Sequence, residues 1–243
     1  VLAGVLSTIP YPRRGRGLLL FVSSFAAAAL FWPLPEVNVD ASRYFIQAKS
    51  LELYGMGYFF EEWGRDIGAW TDLPLVPFLH GLVLSLFGET RVAIQVFTTL
   101  LFSGTVVLTY LIGRTLWDGT VGFQAGMLLL AMPYLLTQVP LMLVDVPAMF
   151  FLALAVWATV RAVRDGKGRF LILAPAAIAL AMLSKYSTWL MLGVVPLIFL
   201  VHSGIGREKL VRRAGAVFLG ALVLAGAVFL TKSDVVTQQL SLL

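Results

Sequence analysis

The sequence contains no cysteine and only two histidines among its 243 residues. The lack of cysteine excludes a disulfide scaffold and a thiolate metal site, and two histidines are too few for a histidine-rich metal cluster. Charged residues are also scarce, at 13% of the chain, whereas hydrophobic residues make up 59%. Because apolar residues make up only about half of a typical soluble domain, this composition excludes an ordinary soluble fold and indicates a protein of the lipid bilayer.

Motifs of nucleotide and nucleic-acid binding are missing as well. No stretch resembles a Walker loop or a Gly-x-Gly-x-x-Gly turn, the glycine-rich loops that hold phosphates in many soluble enzymes. The net charge of +5 does not indicate nucleic acid, because basic residues of membrane proteins usually mark cytoplasmic loops. We therefore predict no nucleic-acid partner.

Long uncharged stretches predict an all-α, polytopic membrane protein with about seven transmembrane helices. A spanning helix needs about 20 mostly apolar residues, because about 30 Å of hydrocarbon is crossed at about 1.5 Å per residue. The apolar stretch from 170 to 203 is too long for one helix, so we divide it at its sole full charge, Lys185. The predicted spans are 17–34, 92–113, 120–138, 146–160, 170–184, 187–201 and 214–230.

Residues 36–90 are predicted to form an external loop with interfacial helices. Between 36 and 72 this loop carries seven acids against three bases. Residues 73–88 are apolar, but they number only about 16 and include Pro74 and Pro77, so we predict that they do not cross the membrane. The whole chain, 1–243, is predicted to be a single transmembrane module of a longer protein.

The distribution of charge supports this topology. The predicted cytoplasmic loops hold 12 of the 18 bases and only three of the 13 acids. If residues 73–88 crossed the membrane, the basic clusters at 161–169 and 207–213 would lie outside, against the positive-inside rule. We therefore predict a multi-pass protein of the plasma (inner) membrane, with a cytoplasmic N-terminus and an extracytoplasmic first loop.

Three ionisable residues, Asp40, Asp145 and Lys185, are predicted to lie at the outer membrane surface. Ionisable groups at membrane depth are costly, so each needs a partner, a water-filled cavity or a task. Structural explanations remain open, because Asp40 and Asp145 suit helix starts and a lysine at a helix end often snorkels to the interface. Together, two carboxylates and one ammonium would suit a phosphate-linked substrate, with the cation on phosphate and a carboxylate on a hydroxyl proton.

Two further groups carry weaker signals. Glu61 and Glu62 in the external loop would add contacts to substrate hydroxyls, with a solvated acidic face as the structural alternative. His80 and His202 are predicted near opposite membrane surfaces, so they cannot jointly ligate one haem, although each could ligate a pigment by itself. Residues Ala41, Tyr44, Phe45, Ala48 and Leu51 share one helical face, which predicts an amphipathic helix on the outer leaflet.

Five sequence elements occur in the order found in a known class of membrane enzymes. They are Asp-Ala-Ser-Arg-Tyr at 40–44, Leu-Pro-Leu-Val-Pro-Phe-Leu-His-Gly at 73–81, Tyr-Leu-Ile-Gly-Arg-Thr-Leu-Trp at 110–117, Val-Asp-Val-Pro at 144–147 and Met-Leu-Ser-Lys-Tyr at 182–186. The set resembles the N-terminal module of the C-type glycosyltransferases, of the protein O-mannosyltransferase and aminoarabinose-transferase type. Two positions depart from that pattern, since Ala41 replaces an acid and Tyr186 replaces a glycine.

The resemblance implies a membrane glycosyltransferase that moves a sugar from a polyprenyl-phosphate donor to an acceptor on the extracytoplasmic side. It implies that Asp40 is the general base or the carboxylate that orients the acceptor, that Asp145 is a second acid, and that Lys185 contacts phosphate. The other predicted substrate-binding residues are Arg43, Tyr44, Glu61 and Glu62, all in the external loop. Some relatives bind a divalent metal and others do not, so the metal requirement stays open.

The alternative is a non-catalytic integral membrane subunit with a degenerate glycosyltransferase fold, packed in a larger membrane complex. In that case the partners would be other integral membrane subunits and membrane lipids rather than a polyprenyl-phosphate sugar. A transporter is disfavoured, because no inverted repeat is visible and the ionisable residues gather on one predicted surface rather than near the midplane.

Overall fold

The computed structural model describes residues 15–36, 38–201 and 206–240, and in these residues the fold is all-helical. His202 and the first two basic residues of the predicted N-terminal flank, Arg13 and Arg14, lie outside the described residues. The helices are α1 (Arg16–Ala29), α2 (Val39–Glu62), α3 (Leu75–Phe87), α4 (Arg91–Leu116), α5 (Gly119–Leu130), α6 (Pro133–Gln138), α7 (Asp145–Asp165), α8 (Gly168–Ser184), α9 (Ser187–Met191), α10 (Val194–Val201), α11 (Arg207–Thr231) and α12 (Ser233–Leu240).

Three of the described helices, α4, α7 and α11, are long and apolar enough to cross a membrane. The other apolar helices are shorter, namely α1, α3, α5, α8 and the pair formed by α9 and α10. The protein is therefore a multi-pass helical membrane protein.

Two of the predicted spans are not continuous helices. The span at 120–138 is divided into α5 and α6, because Pro133 has no N–H group for the α5 ladder and instead begins the next helix after an extended Met132. The span at 187–201 is divided into α9 and α10 by a turn at Leu192 and Gly193. The two spans were predicted from apolar length alone, which does not show these internal breaks.

Small side chains hold the main bundle together. Helix α7 packs on α4 and α8, and α8 packs in turn on α11. The α7–α8 core contains fully buried alanines from both helices: Ala155, Ala158, Ala162, Ala174, Ala177 and Ala181. Association of helices in lipid depends on such close van der Waals packing, since lipid tails are as apolar as leucine side chains.

Glycines bring α4 and α5 into backbone contact. A Cβ atom on Gly122 would lie 2.4 Å from the carbonyl oxygen of Tyr110, and one on Gly113 would lie 2.7 Å from the Cα atom of Gly122. Only glycine at both positions allows this approach. The two glycines therefore fix the α4–α5 pair, against which α1 also packs.

Helix α2 is amphipathic, and its apolar face packs against protein rather than only against the outer leaflet. Ala41, Tyr44, Ala48 and Leu51 are buried, and α2 lies on α3. At Gly55 the backbone adopts a φ of 83° and the helix kinks. The predicted face is present, but α3 and residues 142–144 cover it.

Candidate functional site

Asp145 and Lys185 form an ion pair at one end of the bundle. The Lys185 Nζ atom donates to the Asp145 Oδ1 atom over 2.6 Å. Asp145 is the first residue of α7, and Lys185 is the extended residue that follows α8, so the packing of these two helices brings the charges together. Their side chains stay 56% and 38% exposed, respectively, which leaves both groups accessible to a ligand.

Hydrogen bonds at the end of α8 fix the backbone around Lys185. The buried Thr188 hydroxyl donates to the carbonyl oxygens of Ala181 and Lys185, each over 2.6 Å. The indole N–H of Trp189 donates to the Met182 carbonyl oxygen over 2.8 Å. These side chains satisfy carbonyl groups that a helix end leaves without partners, and they hold the lysine in one place.

A second charged cluster lies at the start of α2. Arg43 donates from Nε and Nη2 to the two carboxylate oxygens of Asp72, over 2.7 and 3.1 Å. Its third nitrogen, Nη1, lies 3.1 Å from Asp40. The amide of Gln47 donates to Asp72 over 3.0 Å. Asp72 is nearly buried whereas Asp40 is 55% exposed, so Asp72 anchors Arg43 and Asp40 faces outward.

Tyr44 lies beneath this cluster with its ring buried and its hydroxyl 3.3 Å from Arg43 Nη2. Burial, together with the negative charge of Asp72, raises the pKa of Tyr44 to about 12. The phenol therefore stays protonated at neutral pH and remains a hydrogen-bond donor. The Arg43 guanidinium also stacks over the ring, 5.1 Å from its centroid.

The two clusters flank one apolar wall. Ala41 and Tyr44 of α2 pack in the same cluster as Leu143 and Val144, the residues that precede Asp145. Glu36 joins these parts of the chain, because its Oε1 atom accepts the backbone N–H of Met142 over 2.5 Å.

Two cavities adjoin the start of α2, and Ser42 and Ile46 line both of them, whereas Asp40 lines neither. The smaller one, about 380 Å³, is lined by Glu36, Asn38, Ala41 and Met142 among other residues. The larger one, about 480 Å³, is lined by Arg43, Gln47, Asp66 and Trp70 among others. Trp70 is the one non-glycine residue with positive φ in the described chain, at 49°, and its ring is 69% exposed.

Several residues of this site carried no distinguishing signal in the sequence. Asp72 and Glu36 are two of the seven acids in the stretch from 36 to 72, and nothing in the sequence distinguishes them from the other five. No feature of the sequence separates Trp70 from the other tryptophans. Their roles as the anchor of Arg43, the link to Met142 and the lining of a cavity depend on contacts between distant parts of the chain.

The structure does not bring Glu61 and Glu62 to this site. They lie at the far end of α2, beyond the kink at Gly55, where the Glu61 carbonyl oxygen accepts a hydrogen bond from Lys232. His80 is also separate, because it is fully buried in α3 against the edge of Phe97.

The described residues offer no ready site for a divalent metal. They contain no group of three or more histidine, aspartate and glutamate side chains that could share an ion. The carboxylates of Asp40 and Asp72 are both bound by the Arg43 guanidinium, which occupies the place that a cation would take. The donor set therefore does not fit a metal.

Comparison with known proteins identifies the family. A family model described as dolichyl-phosphate-mannose-protein mannosyltransferase matches residues 72–234. Among solved structures, the chain is similar to the Saccharomyces cerevisiae protein O-mannosyltransferase Pmt1-Pmt2 complex bound to the sugar donor, with 19% identity and a TM-score of 0.63. That match covers 98% of this chain and 36% of the yeast chain, so this chain spans about a third of its length. No curated protein sequence matches. Because the family match extends over more than half of its residues, the chain belongs to the dolichyl-phosphate-mannose-protein mannosyltransferase family.

Proposed function

We propose that the protein is a membrane glycosyltransferase that moves a sugar from a polyprenyl-phosphate donor to an acceptor hydroxyl on the extracytoplasmic side. The observation that carries this proposal is the pairing of two accessible charged clusters, Lys185–Asp145 and Asp40–Arg43–Asp72, on one apolar wall. An apolar wall suits a prenyl chain, and the charges suit its phosphate and the reacting hydroxyl.

The proposal includes a topology of seven membrane crossings in a single module, residues 1–243, of the inner membrane. In it the N-terminus is cytoplasmic and residues 36–90, with α2 and α3, lie outside. The charge supports this, since Arg114, Arg161, Arg164 and Arg169 lie around one cavity at the end of α7 remote from Asp145, and basic residues mark the cytoplasmic side.

Lys185 is proposed to bind the donor phosphate. In the unliganded site its ammonium rests on Asp145. An accessible ion pair of this kind contributes only about 0–1 kcal/mol, so a phosphate that carries more charge can take over the lysine. Asp145 is then released to accept hydrogen bonds from sugar hydroxyls as the second acid of the site.

Asp40 is proposed to orient and deprotonate the acceptor. Its outward-facing carboxylate has one ion-pair partner, Arg43, and Arg43 is itself held by Asp72 and stacked on Tyr44. The rigid support keeps Asp40 in position, which is where most of the benefit of a general base arises. The exposed ring of Trp70 lines the neighbouring cavity and offers a face for a sugar or an acceptor side chain.

The proposed step balances without a metal or a redox partner. The acceptor hydroxyl oxygen attacks the anomeric carbon, and the bond between that carbon and the phosphate oxygen breaks. The hydroxyl proton passes to the Asp40 carboxylate, and polyprenyl phosphate leaves with its charge stabilised by Lys185. Glu61 and Glu62 are proposed to contact the substrate at a distance from the transferred sugar.

The test is sugar transfer by the full-length purified protein from a polyprenyl-phosphate donor, with Asp40→Asn as the variant. We expect transfer to fall by about 100-fold or more, as for loss of a general base. The fold should survive, because Arg43 keeps both of its hydrogen bonds to Asp72. Asp118→Asn is the matched control, since Asp118 caps α5 and asparagine caps equally well.

Full transfer by the Asp40→Asn variant would overturn the assigned role of Asp40. No transfer by the wild-type protein with any polyprenyl-phosphate sugar, together with copurification of other integral membrane subunits in fixed stoichiometry, would favour the non-catalytic alternative.

A further inference from the structure

The described end of the bundle remote from Asp145 and Lys185 is a basic surface with a cavity of its own. Helix α7 starts at Asp145 and ends at Asp165, so its two ends are separated by about 30 Å at 1.5 Å per residue. At the second end a cavity of about 650 Å³ opens among the ends of α4 and α7 and the start of α8. The proposed transfer reaction does not use this cavity.

Four arginines and one aspartate line this cavity: Arg114, Arg161, Arg164, Arg169 and Asp165. The single acid is already paired, because Asp165 lies 2.7 Å from Arg161. The lining thus has a formal charge of +3, obtained from four positive and one negative group. Arg161 also has a buried Nε atom with no hydrogen-bond partner among the described residues. The lining of the cavity therefore has excess positive charge.

One aromatic ring contacts two of these guanidinium groups. The Cζ atoms of Arg161 and Arg169 lie 5.0 and 4.8 Å from the centroid of the Phe170 ring. Stacking on an aromatic face fixes the planar guanidinium and leaves its N–H groups free to point elsewhere. An anion in the cavity would offset the excess positive charge of its lining. Arginine binds phosphate in this way through paired hydrogen bonds.

An apolar groove adjoins the basic cavity and shares Arg164 with it. The groove encloses about 620 Å³ and is otherwise lined by seven apolar residues: Leu116, Trp117, Val156, Val160, Val194, Leu197 and Ile198. A soluble phosphate compound has no apolar part to fill such a groove, whereas a phospholipid carries acyl chains that are joined to its phosphate through glycerol. The adjoining basic and apolar spaces thus match the two parts of one lipid molecule.

We propose that this end of the protein binds an anionic phospholipid of the cytoplasmic leaflet. The headgroup phosphate lies among Arg161, Arg164 and Arg169, and one acyl chain lies in the groove between α7 and α10. Basic cavities between transmembrane helices on the cytoplasmic side are a recognised place for anionic headgroups. The site is separate from the transfer site, so its occupancy does not depend on the proposed reaction.

The experiment is native mass spectrometry of the full-length protein released from detergent, titrated with phosphatidylglycerol, phosphatidylcholine or inorganic phosphate. The variant is Arg164→Gln/Arg169→Gln, which spares the Arg161–Asp165 ion pair. The matched control is Arg207→Gln/Arg212→Gln, which removes the same charge from exposed residues of α11 outside the cavity. We expect phosphatidylglycerol to bind the wild-type and control proteins, and to bind the cavity variant at least about tenfold more weakly.

Equal losses in the cavity variant and the control would overturn the proposal, because they would indicate attraction to diffuse surface charge. Equal binding of phosphatidylcholine, or binding of inorganic phosphate that displaces the lipid, would also overturn it. If Arg164→Gln/Arg169→Gln fails to fold, Arg164→Lys/Arg169→Lys keeps the charge but loses paired hydrogen bonds, and we expect intermediate binding. Lipid binding by that variant at the wild-type level would contradict the proposed contacts.

Discussion

His80 is fully buried in α3, and neither of its ring nitrogens has a hydrogen-bond partner among the described residues. In the proposed topology α3 lies outside the spans. Burial lowers the pKa of His80 to about 3, whereas an unfolded histidine has a pKa near 6.5. Below about pH 6.5 the unfolded chain therefore binds a proton at His80 that the folded chain does not bind. The free energy of unfolding consequently decreases as the pH falls.

We expect the His80→Leu variant to be less sensitive to acid than the wild-type protein. Below pH 6.5 the wild-type protein should lose up to about 1.4 kcal/mol per pH unit relative to the variant. Thermal unfolding in detergent from pH 7.5 to pH 4.5 measures the difference. Parallel pH profiles for the two proteins would contradict a buried, neutral His80 without a polar partner.

The functional residues were predictable from the sequence to different degrees. Asp145 and Lys185 could be predicted as site residues because charges are rare in their apolar surroundings. Their ion pair could not be predicted, because it joins residues 40 positions apart and requires the packing of α7 on α8. Asp72 gave no signal, because it lies in a loop rich in acids. Only the fold shows that it is the nearly buried partner of Arg43.

Helix boundaries were predicted from the sequence where charged residues mark them and were missed where the break lies inside an apolar stretch. Hydropathy alone treated 120–138 and 187–201 as continuous spans. In the structure each of these is two helices, since Pro133 starts α6 and the turn at Gly193 precedes α10. The close approach of α4 to α5 could not be predicted from the sequence either, because nothing in the sequence distinguishes Gly122 from the other glycines.

The contact of α4 with α5 predicts the effect of a single methyl group. In Gly122→Ala the new Cβ atom would lie 2.4 Å from the Tyr110 carbonyl oxygen, and the obstacle is backbone. The helices must separate, which we expect to cost about 1–3 kcal/mol. Gly215→Ala in α11, where a Cβ atom meets nothing within 4 Å, should be neutral or stabilising. Thermal unfolding of both variants checks the comparison, and equal melting temperatures would refute the close α4–α5 contact.

The topology of the whole molecule can be tested cleanly because the chain has no cysteine. Tyr54→Cys places a thiol on the exposed face of α2, and Lys167→Cys places one between α7 and α8. In spheroplasts, an impermeant maleimide should label the first variant and should label the second only after permeabilisation. Labelling of both variants in intact spheroplasts would show that α3 crosses the membrane. Labelling of Lys167→Cys alone would show that the protein has the opposite orientation.

At this scale the membrane class, the helical fold and the family could be read from composition, spacing and motif order, and the family match bears out the family. The sequence also predicts a difference in charge between the two ends of the bundle, because clusters of basic residues occur in every second connection between the predicted spans. The packing of α2 on residues 142–144 beside Asp145 could not be predicted, because it depends on contacts between distant residues, such as Glu36 and Met142, which are 106 positions apart.

The most direct measurement is a cryo-electron microscopy structure of the full-length protein with a polyprenyl-phosphate sugar bound. We predict that the donor phosphate lies about 3 Å from Lys185 Nζ, that the contact of Lys185 with Asp145 is broken, and that the sugar lies between Asp145 and Asp40. A phosphate bound elsewhere, with Lys185 still paired to Asp145 and the cavity beside Asp40 filled by a neighbouring subunit, would contradict the account.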